Sequence, residues 1–255
     1  MNFLDVAGRS VLITGVGGGI GRALVQSFLE AGASVFGADR DVSLLADLDL
    51  ARRLVFDLID PVATAAAIAE LIQAGAVPDM LIGNAGWTRA DRIGQVDAAA
   101  WDRELAINLT GAFHVAAPLV AAMAARGHGS VVFIASVNGL AHYGNAAYAA
   151  AKAGLIAYAK ALAVEYGPRG VRVNVICPGS VRTAAWNHRF ATTPDLAERL
   201  LPHYPLGRLV EPAEVARTAL FLASPAASGI TGAVLAVDAG LTAGNARFVA
   251  DIMSG

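Results

Sequence analysis

Cysteine is almost missing from this sequence: Cys177 is the only one in 255 residues. A lone thiol excludes an internal disulfide and a multi-cysteine metal site. Because Cys177 follows a strand that reads as buried, it is expected to be an inert core thiol. Charge is scarce as well. Asp, Glu, Lys and Arg make up 16% of the chain against 56% hydrophobic residues, which argues against disorder. Lys and Arg total 19 and Asp and Glu 21, a formal net charge of −2, so nothing marks a nucleic-acid or anionic-membrane partner. No Pro/Ser-rich linker, charge block or repeat divides the chain, and one domain over residues 1–255 is expected. Residues 1–10 lack a basic region followed by an apolar core, so no secretory signal is read and a soluble cytoplasmic protein is expected.

The apolar excess raises the question of a membrane span. Alanine supplies 55 of the hydrophobic residues, and alanine is weakly apolar while being the best helix former. Residues 105–125 form the longest uncharged helical stretch, long enough to cross a bilayer. They include Asn108, Thr110, His114 and Pro118, and nearly half are alanine or glycine. A buried helix of a globular protein is the better reading.

Short apolar runs at 10–14, 34–38, 54–56, 79–82, 130–135, 171–176 and 233–237 read as strands. Helical patterns lie between them at 20–31, 61–73, 98–125, 146–166 and 212–223, with Pro118 a candidate disturbance in the third. Strands alternating with helices predict an α/β fold: a doubly wound, Rossmann-like parallel sheet covered on both faces. Residues 182–207, with Trp186 and three prolines, are the least regular part and read as a lid or binding loop.

Directly after the first strand come Thr14-Gly15-Val16-Gly17-Gly18-Gly19-Ile20-Gly21. Glycines let a backbone approach a pyrophosphate, and the following helix offers unpaired N–H groups and a partial positive charge. The G-x-G-x-x-G register fails, since counting from Gly15 puts Ile20 at the last glycine; T-G-x-x-x-G-x-G fits, with Gly15, Gly19 and Gly21. Such a turn alone also serves as a tight strand–helix connection, but its position points to a dinucleotide. The second strand ends in Asp39 and Arg40. A carboxylate some twenty residues past the glycines accepts hydrogen bonds from the adenosine ribose and repels a 2′-phosphate. No Arg or Lys at 16–18 offsets it, and Arg40 is placed to stack on adenine, so NAD is favoured over NADP. Asp57, with Leu58 beside it, is placed to meet the adenine amino group or to act as an ordinary turn residue.

The helix after residue 145 carries Tyr148-x-x-x-Lys152, two residues on one face. A free tyrosine titrates near pH 10 and needs a nearby cation to act as a base near neutrality. A lysine one turn away and a positive nicotinamide ring supply that bias. Alone, the spacing is common in exposed pairs. Here the fifth strand runs into Ser136 at the carboxyl edge of the sheet, where doubly wound folds bind ligands. Asn108, in the preceding long helix, is placed to hold a water linking the lysine to solvent. Asn84-Ala85-Gly86 and the turn Pro178-Gly179-Ser180-Val181-Arg182-Thr183 lie at the same edge.

Together, Thr14-Gly15-x-x-x-Gly19-Ile20-Gly21, Asn84-Ala85-Gly86, Asn108, Ser136, Tyr148-x-x-x-Lys152 and Pro178-Gly179 resemble the short-chain dehydrogenase/reductase family over essentially the full length. The resemblance implies an acid/base role for Tyr148 and a hydrogen bond from Ser136 to the substrate oxygen. It implies that Lys152 binds the nicotinamide ribose and lowers the Tyr148 pKa, that Asn108 supports a proton-relay water, and that Thr183 contacts the carboxamide, with Val181 among the cofactor contacts. The implied reaction interconverts a secondary alcohol and a ketone. The two long helices would pair with other subunits, usually as a tetramer. One departure stands out: the family's usual Asn-Asn-Ala-Gly begins here with Gly83, which removes a side-chain clamp on the central strands.

Four residues are candidates for substrate contact. His142 faces the substrate or sits in a surface loop, Asn145 does so or caps the helix, and Trp87 and Trp186 line the pocket or simply pack. His188 and His203 lack a spaced carboxylate or cysteine partner, so no metal site is expected. The mixture of Trp, His, Asn and Arg around these segments favours a small polar substrate. The reading is an NAD-dependent alcohol, polyol or sugar dehydrogenase. An NADPH-linked ketone or 3-oxoacyl reductase is the alternative. A non-catalytic cofactor-binding regulator is disfavoured by the presence of both Tyr148 and Lys152.

Overall fold

In the computed structural model, which describes residues 4, 6–89 and 92–253, the apolar runs become seven parallel strands. These are β1 (Ser10–Thr14), β2 (Ser34–Asp39), β3 (Arg52–Val55), β4 (Met80–Gly83), β5 (Gly129–Ile134), β6 (Val171–Pro178) and β7 (Val234–Val237). Their order across the sheet is β3-β2-β1-β4-β5-β6-β7, so the winding direction reverses between β1 and β4. That switch point opens a crevice at the carboxyl ends of the strands. Successive side chains alternate across the sheet. Val11 and Ile13 join one core with Leu24 and Phe28 of α1 (Gly19–Glu30) and Val215 of α8 (Pro212–Ala223). Leu12 joins the other, with Ile68 of α2 (Pro61–Gln73), Leu119 of α4 (Gly111–Arg126) and Leu155 of α5 (Ala146–Tyr166). Burial on both faces is what a parallel sheet requires, and it accounts for the unbroken apolar runs.

Strand ends differ from the expected ones by a few residues. The largest shift is β3, which begins at Arg52 because the register pairs Phe36 with Arg52 and Asp39 with Val55. Arg52 and Arg53 are exposed on this edge strand, so hydrophobicity understates its extent.

The expected helix at 98–125 is broken, though not at Pro118, which lies inside α4 without ending it. The break is a π-helical turn, Ala106–Thr110, between α3 (Ala98–Leu105) and α4. The Asn108 side chain donates to the Glu104 carbonyl (3.0 Å), the acceptor that an α-helix reserves for the Asn108 backbone N–H. The ladder widens there. Ala98–Arg126 and Ala146–Arg169 are long and apolar enough to cross a membrane by length and composition. In the fold, both place apolar side chains against the sheet.

The 182–207 segment is more regular than expected, holding α6 (Ala184–Thr192) and α7 (Leu196–Leu200). Neither helix has a buried residue, so no apolar period announces it. The chain re-enters the body at Tyr204, which is buried and donates its hydroxyl proton to Ser180 Oγ (2.8 Å). A final helix, α9 (Ala246–Met253), has no counterpart among the expected elements.

Arg172 of β6 ties the sheet to the end of α8. Its guanidinium donates to the carbonyls of Leu222, Ala223, Ser224 and Ile230 and to Ser130 Oγ, at 2.9–3.2 Å. Arg172→Met removes all five of these bonds, although the Ile230 carbonyl keeps Asn174 Nδ2 as a donor, and is expected to lower the unfolding free energy by about 2–4 kcal/mol. Urea denaturation checks this; a midpoint equal to wild type would refute it.

Candidate active site

The glycine turn is shaped by backbone contacts. Gly15 has φ +69, and a Cβ there would lie 2.8 Å from Ala85 Cα. A Cβ on Gly21 would fall 2.0 Å from the Gly15 carbonyl oxygen, so only glycine lets α1 descend onto the turn. Gly19 faces Thr183, whose Cγ2 would be 2.8 Å from an added Cβ. The three glycines of the expected register thus answer three different close approaches. No side chain caps the start of α1 and no acidic residue occupies its first turn, which leaves the N–H groups there for an anion. The Asp39 carboxylate is built into the rim: it accepts from Gly17 N–H (3.0 Å) and from Arg40 N–H (2.8 Å).

These residues line a cleft of about 440 Å³. Gly15, Gly19, Ile20, Gly21, Asp39, Arg40, Asp57, Leu58, Asn84, Ala85, Gly86, Trp87 and Thr183 all face it, as expected. Phe56, Ile59, Arg103 and Ile107 complete the wall without having been singled out by the sequence. An uncapped helix start, a carboxylate rim and an apolar slot at the Asp57 end fit the pyrophosphate, ribose and base of a dinucleotide. Pro178, Gly179 and Val181 are not among the residues that line the cleft: Gly179 N–H donates to the Val237 carbonyl (3.0 Å), and buried Val181 bridges to Val210.

Tyr148, Ser136 and Lys152 come together at the edge of β5. Ser136 Oγ accepts from Asn138 N–H (3.1 Å), and its hydroxyl is near enough to Tyr148 to favour the ionised phenol. Lys152 is buried, so the pair is no ordinary exposed one. Its Nζ lies 5.5 Å from the Tyr148 ring centroid and donates to the Ile134 carbonyl (3.0 Å). In the chain without a cofactor, burial governs the Tyr148 phenol more than its lysine neighbour does. Burial pushes the Tyr148 phenol up to about 12, opposed by the Ser136 hydrogen bond and reinforced by Glu104. Burial pushes Lys152 down to about 8. Cys177 is raised to about 11 by burial and stays a neutral thiol at pH 7, in keeping with an inert role.

Asn108 is buried in the π-helical turn and locked from several sides. Its Nδ2 donates to the Trp87 carbonyl (2.7 Å) and to Glu104 Oε2 (2.8 Å), and its Oδ1 accepts from Trp87 N–H (3.2 Å). Gly86 leaves the room this needs: a Cβ there would lie 2.9 Å from Asn108 Oδ1 and 3.3 Å from Lys152 Nζ.

The substrate candidates separate. Trp87 lines the main cleft and a neighbouring one of about 270 Å³, with the Arg103 guanidinium 5.0 Å from its ring centroid. Asn145 lines the smaller cleft. It holds the position before α5 in a left-handed conformation (φ 57), yet its side chain makes no cap. The amide instead donates to Thr88 Oγ1, which corrects the capping expectation. His142 is exposed and lines neither cleft. Trp186 stacks with Arg189 (4.4 Å) and Phe190 (5.7 Å) on α6, also away from both.

The family model described as enoyl-(acyl carrier protein) reductase matches residues 15–242. A crystal structure of an oxidoreductase of the short-chain dehydrogenase/reductase family from Burkholderia thailandensis superposes with a TM-score of 0.89 at 43% identity, covering 97% of this chain and 98% of that one. This chain belongs to the short-chain dehydrogenase/reductase family. It is therefore an NAD(P)-dependent oxidoreductase. Two similar proteins are an uncharacterized oxidoreductase of Schizosaccharomyces pombe and a galactitol 2-dehydrogenase (L-tagatose-forming) of Cereibacter sphaeroides. The first is 44% identical over 98% of this chain and 97% of its own length. The second is 38% identical over 92% and 95% respectively.

The family's missing asparagine at Gly83 leaves no gap. A Cβ at Gly83 would lie 2.6 Å from Phe133 Cδ1, so the β5 aromatic fills that space. Asn84 itself clamps the central strands, donating from Nδ2 to the carbonyls of Thr14 (2.9 Å) and Gly15 (3.1 Å). The clamp on the central strands therefore comes from Asn84, and Phe133 occupies the space beside Gly83. Glu104 is the polar residue that sequence reasoning passes over. Its place one helical turn before Asn108 was the available signal.

Proposed function

We propose that this short-chain dehydrogenase/reductase uses NAD to interconvert a secondary alcohol of a small polyol or sugar and the corresponding ketone. The observation that carries the cofactor preference is Asp39, whose carboxylate is pinned by Gly17 N–H at the ribose end of the cleft. A 2′-phosphate there would meet a fixed negative charge. The galactitol-oxidising relative supports the polyol assignment.

When bound, the nicotinamide accepts or donates the hydride. The chain's own residues do the rest. Ser136 holds the substrate oxygen beside Tyr148, and the Tyr148 oxygen takes the hydroxyl proton during oxidation or returns it during reduction. Lys152, positive below its pKa of about 8, favours the phenolate that forms and is placed to hold the nicotinamide ribose. Asn108 anchors the route by which the proton reaches solvent. Residues 1–255 act as one catalytic domain, with 182–207 forming its substrate side. Exposed Phe113 and Val164 on the outer faces of α4 and α5 support assembly into a homotetramer through those helices.

Saturating NAD is expected to raise Tm more than NADP does. Asp39→Ala should narrow the NAD/NADP preference by about tenfold, equivalent to about 1.4 kcal/mol. NADH absorbance during oxidation of a polyol, sugar and secondary-alcohol panel tests the substrate class. A larger shift with NADP, or turnover of 3-oxoacyl thioesters alone, overturns this reading. A blank panel despite tight NAD binding would favour a non-catalytic regulator.

A further inference from the structure

Glu104 is a buried carboxylate in an apolar fold, and the chemistry above gives it no part. Its contacts can be read donor by donor. Oε2 accepts from Asn108 Nδ2 (2.8 Å), while Oε1 accepts from Arg89 N–H (3.0 Å) and is 3.0 Å from Thr88 Oγ1. The Asn145 amide donates to that same hydroxyl, which links it to Glu104 through Thr88. Asn108 Nδ2 and Arg89 N–H are both donors, the kind of partner a carboxylate accepts from. The chain of bonds joins two places that matter. At one end is Asn108; at the other is Asn145, three residues before Tyr148, held in its left-handed conformation at the start of α5.

We propose that Glu104 is a positioning residue of this active site: through its hydrogen bonds it fixes Asn108 and, by way of Thr88 and Asn145, the start of the Tyr148 helix. The inference rests on the catalytic reading of Tyr148 given above. The titratable and charged groups around Tyr148 are Lys152 on its own helix, Cys177 on β6 and Glu104 on α3. Cys177 is uncharged at neutral pH, which leaves Glu104 as the anion and Lys152 as the cation. Arg89, Asp97 and Arg103 line the small cleft that reaches Glu104. A carboxylate opposes the phenolate and supports the protonated lysine. The enzyme thereby holds Tyr148 as a phenol until the cofactor is in place.

Glu104→Gln keeps the shape and removes the charge. The Tyr148 titration is read as tyrosinate absorbance, native minus Tyr148→Phe, with and without Glu104→Gln and with saturating NAD throughout. Removing the anion should move the midpoint to lower pH by about one unit, the order expected of a single nearby charge in a partly buried site. The acid limb of the kcat/KM profile should move the same way. A merely structural role would reduce activity at all pH values and leave both midpoints in place; an unmoved or raised midpoint overturns the proposal.

Glu104→Asp is the companion, because it keeps the charge and shortens the reach to Asn108. Its midpoint should stay near wild type while kcat falls about tenfold, and full retention of kcat overturns the positioning claim. If Glu104→Gln does not fold, this variant alone still decides. The absorbance titration needs no substrate. A protein that shows the expected midpoint shift yet oxidises no alcohol would refute the proposed function and leave the assignment of Glu104 standing.

Discussion

Replacing Tyr148 with Phe is expected to lower kcat for alcohol oxidation by about 10³-fold, within the range that a positioned acid/base contributes. The substitution removes one oxygen and keeps the ring. The contact of Lys152 Nζ with that ring (5.5 Å to the centroid) survives, as does the lysine's bond to the Ile134 carbonyl. Ser136 keeps Asn138 N–H as a donor. The cleft is lined by other residues, so NAD affinity should change little. Loss of kcat with unchanged NAD binding is thus the signature to measure, by steady-state kinetics and by equilibrium titration of the cofactor. Turnover within tenfold of wild type on the same substrate would remove Tyr148 from the chemistry. The phenol's own tendency, raised to about 12, explains why the loss should be large: nothing in the protein by itself makes a phenolate at neutral pH. The base exists only once the assembled site favours it.

Gly21→Ala is expected to lower the unfolding free energy by about 3–5 kcal/mol and Tm by about 10 °C. The added methyl would meet the Gly15 carbonyl oxygen at 2.0 Å, Val16 Cα at 2.7 Å and Gly15 C at 2.9 Å, all backbone. No rotamer change relieves such a clash, so α1 must retreat from the turn. Doing so separates Leu24 and Phe28 from their core and spreads the N–H groups that face the cleft. NAD affinity should fall together with Tm. Gly19→Ala is the contrast, because its methyl meets the Thr183 side chain rather than backbone in its closest contact, and its thermal cost should be smaller. Thermal denaturation followed by circular dichroism, with and without NAD, separates the two. Equal Tm values for Gly21→Ala and wild type would show that the turn is less tightly built than its contacts require.

Much of this architecture is legible before any coordinates. The buried strands announce themselves because a two-sided sheet tolerates little but Val, Ile, Leu and Phe, as in β1 and β5. Gly15, Gly19 and Gly21 are legible because steric exclusion leaves a fixed spacing. What stays hidden depends on surroundings. The π-helical turn is invisible because its cause is a side chain, Asn108, competing for a backbone acceptor. Helices α6 and α7 are invisible because a helix that buries nothing has no apolar period. Asn145 suggests a cap by its place, but Thr88, 57 positions earlier, claims its amide. The ionisation of Tyr148 is hidden for the same reason: the spacing to Lys152 is local, whereas burial and Glu104 act from elsewhere in the fold.

Helices α6 and α7 carry no residue that the two cores depend on. The chain leaves the body at Val181 and returns at Tyr204, both buried, so the two anchor points stay fixed whatever lies between them. Mutations in this stretch are therefore nearly free of folding cost, whereas equal numbers in α1 or α8 are not. A scaffold divided in this way lets selection rewrite one rim while the glycine turn and the tyrosine–lysine pair stand still. Divergence among descendants of such a gene should gather between its anchors, and a library confined there would keep a high fraction of folded members.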